Sequence, residues 1–152
     1  MDCDLSFNIH RRLILKFRNI YSITSPTTII MKNAITWFDI FTEDFDRAVK
    51  FYSDILGQPI RVDTFMGQKL GFFPMDGMEG VGGDLVLPKW GKPCANGTRV
   101  YLSCQGILDE VIGRVEKSGG KIIAPKFKLG DMGWRAIIMD TEGNTVGLQS
   151  FK

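Results

Sequence analysis

Histidine is almost missing from this sequence: of its 152 residues only His10 is a histidine, and the chain from residue 31 onward has none. Imidazole is the commonest metal ligand and a frequent general base in proteins. Its absence excludes most zinc, nickel and iron sites from residues 31–152, together with every histidine-based catalytic triad. The chemistry of that region therefore depends on carboxylates, arginines, aromatic rings and amides.

The three cysteines, Cys3, Cys94 and Cys104, form neither a CxxC pair nor an even framework of disulfides. This pattern is typical of a reducing compartment, so we expect reduced thiols and a cytoplasmic location. Long apolar runs are missing as well. The stretch Leu13–Ile20 is broken by two basic residues, and no segment approaches the length of a membrane-spanning helix. We expect neither a secretory signal nor a membrane anchor.

Charge is unevenly distributed along the chain. Four of the 19 basic residues and two of the 17 acidic ones fall within residues 1–30, so the remainder balances at 15 of each. A neutral domain without a basic stripe is unsuited to nucleic acid or to an anionic membrane, and we expect neither as a partner. We interpret residues 1–30 as an N-terminal extension or a misassigned start upstream of Met31, and residues 31–152 as the domain.

From residue 31 the same order of elements occurs twice. A strand near Ile35–Phe41 precedes a helix that Asp44 can cap and Gly57 can end, and three short strands follow. The second half repeats this order around a helix near Ile107–Lys117. The pattern predicts an α+β fold of two βαβββ repeats. About eight strands would form a curved split barrel, with two helices packed on it, around a shared cavity.

A shift of 62 residues superposes the two halves near their beginnings. It places Trp37 on Arg99 and Gly57 on Gly119. Nearer the ends the shift becomes 65, which places Gly82 on Gly147. These matched positions support a duplicated unit and predict which residues occupy equivalent places in the two halves.

Three segments carry a resemblance to a known family. They are DFDRAVKFYSDILG (Asp44–Gly57), VEKSGGKIIAP (Val115–Pro125) and DTEGNTVGLQS (Asp140–Ser150). In that order they resemble the first helix, the second helix-to-strand junction and the closing hairpin of the glyoxalase/bleomycin-resistance family, or vicinal oxygen chelate superfamily. The chain looks like its lactoylglutathione-lyase-related branch. The resemblance implies the repeat fold and a homodimer.

Metal-dependent members of that family place histidine, glutamine or glutamate on the first strand of each half and on a last strand. Here the resemblance puts those positions at Trp37, Arg99, Gly147, and Gly82 or its neighbour Gly83. None of the four donates a lone pair to a divalent cation, because the guanidinium stays protonated and the indole N–H only donates. We therefore expect no metal and no other cofactor. We also do not expect glyoxalase chemistry, because that reaction needs a metal to polarise its substrate.

Strand alternation places a set of side chains on the faces that a shared cavity would expose: Trp37, Asp39, Asp84, Arg99, Tyr101 and Gln149. Such a set can stack a flat ligand and hold a carboxylate or phosphate through Arg99. In a structural alternative these side chains stabilise the fold and do not bind a ligand: Trp37 is a core residue, and Asp39 pairs with Arg99. Asp39 and Asp84 also suit acid–base catalysis, or, with Glu79, an oxygen-only magnesium or manganese site.

The function predicted first is metal-free binding of a small molecule, an aromatic or anionic metabolite or drug. An enzyme is the second interpretation: a lyase or isomerase that uses either the oxygen-only site or acid–base chemistry by Asp39 and Arg99. A third is a partner-binding subunit whose cavity no longer has a role. The expected partners are a small-molecule ligand and a second copy of the chain.

Overall fold

The computed structural model describes residues 33–77, 80–89 and 91–151. The predicted extension at residues 1–30, the start at Met31 and Glu79 of the oxygen-only site lie outside these residues. In the part of the chain that the structure describes, no helix is long and apolar enough to cross a membrane.

The first half contains four strands and one helix: β1 (Trp37–Phe41), α1 (Phe45–Leu56), β2 (Arg61–Phe65), β3 (Gln68–Phe72) and β4 (Gly82–Val86). The strands form one sheet in the order β1-β4-β3-β2. β1 runs parallel to β4, and the other two pairs are antiparallel. The helix therefore connects β1 to the far edge of the sheet, and the chain returns strand by strand to β1.

The second half repeats this topology with β5 (Tyr101–Ser103), α2 (Leu108–Val115), β6 (Lys121–Lys128), β7 (Trp134–Met139) and β8 (Thr145–Ser150). Short 3₁₀ turns at Glu116–Ser118 and Gly130–Met132 follow α2 and β6. The sheet order is β5-β8-β7-β6, with β5 parallel to β8. The predicted α+β class and the βαβββ repeat are confirmed, and the two sheets do not close into a continuous barrel.

Helix α1 begins and ends where the sequence predicts. The Asp44 side chain accepts a hydrogen bond of 3.0 Å from the backbone N–H of Arg47, which satisfies one of the free donors at the helix start. Gly57 ends the helix with φ 67°, and its N–H donates to the Ser53 carbonyl. Spacing of three and four residues buries one face of the helix: Phe45, Ala48, Phe51, Tyr52 and Ile55.

The core lies between the helices and one face of each sheet. Ile40 and Leu85 from the first sheet and Leu102 and Leu148 from the second are buried against the helical residues. Because side chains alternate along a strand, the neighbours of these residues point to the other side of each sheet. We call that side, which the helices do not cover, the open face. It carries Trp37 and Asp39, as the alternation predicts.

A buried hydrogen-bond network joins the first half to the second. The Tyr52 hydroxyl, on α1, donates to Asp140 Oδ2 at 2.7 Å, and both residues are buried. Asp140 Oδ1 accepts from the backbone N–H groups of Glu142 and Asn144 at 2.9 and 2.8 Å, which holds the turn between β7 and β8. Two of the segments that carry the family resemblance therefore meet here, and they serve the fold.

Candidate functional site

The open face of the first sheet is organised by an aromatic ring that lies across a glycine. Trp37 on β1 is paired in register with Gly82 on β4. A Cβ atom at Gly82 would overlap the indole, so only glycine permits the ring to lie there. The indole reaches the Phe72 ring on β3, with centroids 6.2 Å apart in an edge-on arrangement. Trp37 is 38% exposed and is not the core residue of the structural alternative.

The open face of the second sheet repeats this arrangement with different residues. Tyr101 on β5 is paired with Gly147 on β8, where a Cβ atom would overlap the phenol ring. The Arg135 guanidinium lies 4.4 Å from the centre of the Tyr101 ring. Its Nε donates to Gln149 Oε1 at 3.1 Å. Arg135 was not among the predicted site residues. It is the second residue of a predicted strand, and that position gave no indication that it would lie beside the other site residues.

The strand pairing corrects one prediction. Because Trp37 pairs with Gly82 and Tyr101 pairs with Gly147, the repeat mate of Trp37 is Tyr101 and the prediction of Arg99 is wrong. The error arose because the shift of 62 was fixed by the glycine after each helix. The segment from the aromatic strand residue to the glycine after the helix is two residues shorter in the second half than in the first. The shift between the two halves is therefore 64 at the strand.

The residues at these four positions do not fit the metal that the fold family implies. The two rings occupy the space above Gly82 and Gly147. The indole offers no lone pair to a cation and glycine has no side chain, which leaves the Tyr101 phenol as the one side-chain oxygen donor at these positions. Among residues 33–77, 80–89 and 91–151, no three His, Cys, Asp or Glu side chains lie close enough together to hold a metal ion.

Two predicted acids lie side by side on the open face of the first sheet. Asp39 on β1 is in register with Asp84 on β4. Asp39 is exposed, whereas Asp84 is only 5% exposed. Burial and the Asp39 charge raise the pKa of Asp84 to about 6, although the Trp37 indole N–H opposes the shift. Asp39 forms no ion pair with Arg99 in the described part of the chain, so the structural alternative fails for this pair too.

Two cavities are lined by residues that the structure describes, and the larger of them lies elsewhere, between the first sheet, the end of α1 and the edge strand β5. Its volume is about 560 Å³, the size of a small-molecule site. Its wall combines apolar side chains with two of the predicted site residues: Phe38, Leu56, Phe73, Ile107, Arg99 and Tyr101. Phe38 lies next to Gly83, where a Cβ atom would overlap its ring.

The structure therefore divides the six predicted residues among three places. Arg99 and Tyr101 line the larger cavity. Asp39 borders a smaller one of about 350 Å³ that also contains Lys92 and Asn144. The remaining residues, Trp37, Asp84 and Gln149, are outside both and belong to the open faces described above.

Glu142 of the closing turn provides a test by pH. Burial raises the pKa of this carboxyl, but hydrogen bonds from Arg47 Nε and from the N–H groups of Asp44 and Glu43 outweigh it and hold the pKa below the usual value of 4.5. A carboxyl with a lower pKa when folded stabilises the protein above its unfolded pKa, and this contribution is lost as the pH falls through the folded pKa.

We therefore expect the free energy of unfolding to fall below about pH 4.5 more steeply in the wild type than in Glu142→Gln. Urea denaturation at a series of pH values between about 7 and 3 measures both slopes. Glu116→Gln, which changes an exposed acid on the 3₁₀ turn after α2, is the matched control and should leave the slope unchanged. Equal slopes for the wild type and Glu142→Gln would contradict the expectation.

Comparison with known proteins gives similar folds and one set of related sequences. No protein-family model matches the chain. The chain is 29% identical over 117 residues to "Putative glyoxylase CFP32" of Mycobacterium bovis, an alignment that covers 74% of this chain and 43% of that protein. The protein of the same name from Mycobacterium tuberculosis matches equally. The chain thus spans less than half the length of the curated relatives it matches.

Solved structures have the same fold. A glyoxalase/bleomycin resistance protein from Albidiferax ferrireducens superposes with a TM-score of 0.61 at 17% identity, over 78% of this chain and 98% of that one. A glyoxalase-related enzyme from Fulvimarina pelagi gives 0.59 at 12% identity, over 79% and 88%. At these identities the likeness concerns the fold and not the activity.

Proposed function

We propose that this chain, which has the fold of the glyoxalase/bleomycin-resistance (vicinal oxygen chelate) superfamily and resembles its members in sequence, binds an aromatic anion in its larger cavity without a resident metal. The observation that carries the proposal is Arg99 on the wall of an apolar cavity of about 560 Å³. A guanidinium holds a carboxylate or phosphate through paired hydrogen bonds, and the apolar walls suit a flat ring.

Two features of Arg99 support this role. It is exposed, and it has no hydrogen-bond or ion-pair partner among the described residues, so its donors are available to a ligand. Arg135 differs, because its guanidinium is already engaged by Gln149 and the Tyr101 ring. Of the arginines near the two sheets, Arg99 is therefore the one suited to an incoming anion.

The proposal is tested with benzoate as the probe and benzyl alcohol as its uncharged equivalent. We expect benzoate to bind more tightly, and Arg99→Gln to weaken benzoate by roughly tenfold or more, the effect of losing hydrogen bonds to a charged group. Benzyl alcohol should bind the variant and the wild type equally. Ligand-observed NMR or calorimetry measures all four affinities.

Arg61→Gln is the matched control, because Arg61 lies on the distant strand β2, is highly exposed and does not line the cavity. We expect no change in benzoate affinity for this variant. If Arg99→Gln and Arg61→Gln weaken benzoate equally, or if neither does, the Arg99 site is abandoned.

The proposal includes a cytoplasmic location and a homodimer. Apolar side chains exposed at the sheet edges, such as Phe65 at 63% and Ile123 at 52%, support a self-association surface. Sedimentation of the folded chain at a mass near 17.1 kDa would contradict the dimer.

A further inference from the structure

The Asp39–Asp84 pair on the open face of the first sheet has no role in the proposed function. Asp84 is 95% buried, yet its Oδ1 has no hydrogen-bond partner in the described residues. None of the ion pairs in the same residues includes Asp39 or Asp84. A buried carboxylate oxygen without a donor is costly, so a group that is not part of the described chain is expected to satisfy it.

The groups around Asp84 come from two neighbouring strands. β1 contributes the second carboxyl, Asp39, and the Trp37 indole; β3 contributes the Phe72 ring. On this face the Arg61 guanidinium lies 4.9 Å from the centre of the Phe72 ring, and in the sheet order its strand β2 is on the far side of β3 from Asp84. The site thus combines two acids and two aromatic rings. Lys92 lines the same small cavity as Asp39, but no cation of the described residues forms an ion pair with either acid.

We propose that Asp39 and Asp84 bind the ammonium group of a small organic amine, whose carbon skeleton lies against Trp37. A primary ammonium carries three N–H donors, enough for Asp84 Oδ1 and for Asp39. The ammonium is also attracted to the faces of aromatic rings, whereas a carboxylate is not. Asp39 is exposed, so its carboxylate can be reached from solvent.

A divalent cation fits this site less well. Two carboxylates supply few of the six or more oxygens that such an ion requires, and no third acidic side chain completes a cluster in the described part of the chain. The indole and phenyl rings that flank the carboxylates offer a metal no ligand, whereas they contribute to the binding of an ammonium. Manganese binding is therefore an outcome that the experiment must separate from amine binding.

The charge of the pair supports amine binding at neutral pH. With a pKa raised to about 6 by burial and by Asp39, Asp84 is ionised at pH 7.5 and largely protonated at pH 5. An alkyl ammonium stays protonated over this whole range. Because the protonated carboxyl no longer attracts a cation, affinity for the amine should fall by roughly tenfold between pH 7.5 and 5, in proportion to the ionised fraction of Asp84.

The experiment uses benzylammonium as the probe, with benzyl alcohol as its neutral equivalent and benzoate for the Arg99 site. We expect benzylammonium to bind more tightly than benzyl alcohol and to shift the Trp37 indole resonance in a ¹H–¹⁵N spectrum, assigned with Trp37→Phe. Asp84→Asn and Asp39→Asn should each weaken benzylammonium tenfold or more. Asp63→Asn, an exposed acid on the same face with Arg61 at 3.7 Å, should change nothing.

Asp84→Asn should fold normally, because it keeps the shape of the side chain and removes a buried unpaired charge; a thermal melt checks this. The proposal is overturned if benzylammonium binds no better than benzyl alcohol, if its affinity is the same at pH 5 and 7.5, or if Asp84→Asn abolishes manganese binding but leaves the amine unaffected. Benzoate affinity should be unchanged in Asp84→Asn, so failure here is distinct from failure of the Arg99 site.

Discussion

Asp140→Ala is expected to lower the free energy of unfolding by about 3–5 kcal/mol. The substitution leaves the Tyr52 hydroxyl without its acceptor in a fully buried position and removes Oδ1, the one acceptor that both turn N–H groups share. It also removes the partner of the Asn144 side chain, which spans from Asp140 Oδ2 to the Phe41 carbonyl of the first half. Urea denaturation of the full chain measures the loss.

Tyr52→Phe is the matched control for this network. It keeps the ring that packs against Phe51 and Phe73 and removes only the hydroxyl, while Asp140 Oδ2 retains its bond from Asn144. We expect a loss of about 1–2 kcal/mol. The double variant should lose less than the sum of the two single losses, because both remove the same hydrogen bond. A loss below about 1 kcal/mol for Asp140→Ala would show that the network contributes little.

Gly133→Ala is expected to lower the free energy of unfolding by about 2–4 kcal/mol. Gly133, directly before β7, has φ 86° and ψ −140°, a conformation that residues with a Cβ atom rarely adopt. A Cβ there would overlap the Ser150 carbonyl oxygen and approach the Phe151 backbone. Backbone atoms cannot swing aside as a side chain can, so the strand pairing between β7 and β8 would have to shift.

Gly113→Ala provides the opposite control. Gly113 lies inside α2, and a Cβ there would meet nothing within 4 Å. Alanine favours a helix over glycine by about 0.5–1 kcal/mol, so this variant should be more stable than the wild type. Thermal and urea denaturation of both variants measure whether each substitution lowers or raises the free energy of unfolding. A Gly133→Ala protein as stable as Gly113→Ala would contradict the backbone conformation at residue 133.

The fold was largely predictable because its signals are local. The cap at Asp44, the left-handed residue Gly57 and the apolar face of α1 are all written within one short segment. The eight strands follow from alternation and from turn residues in the same way. The site was harder, because it depends on which strands lie next to each other. Trp37 and Gly82 are far apart in sequence and meet only through the parallel pairing of β1 with β4.

The sequence by itself determined which side-chain donors residues 31–152 can offer. It contains no histidine there, and it has Trp37, Gly82 and Gly147 where the resemblance would lead one to expect metal ligands. Only the tertiary structure decided that Tyr101 and not Arg99 is the mate of Trp37, that Arg99 lines a cavity, and that Asp84 is buried beside Asp39. Ligand donors are a property of residue type, which the sequence states directly. Register, burial and the pKa of a carboxyl depend on contacts between distant segments, which exist only in the folded chain.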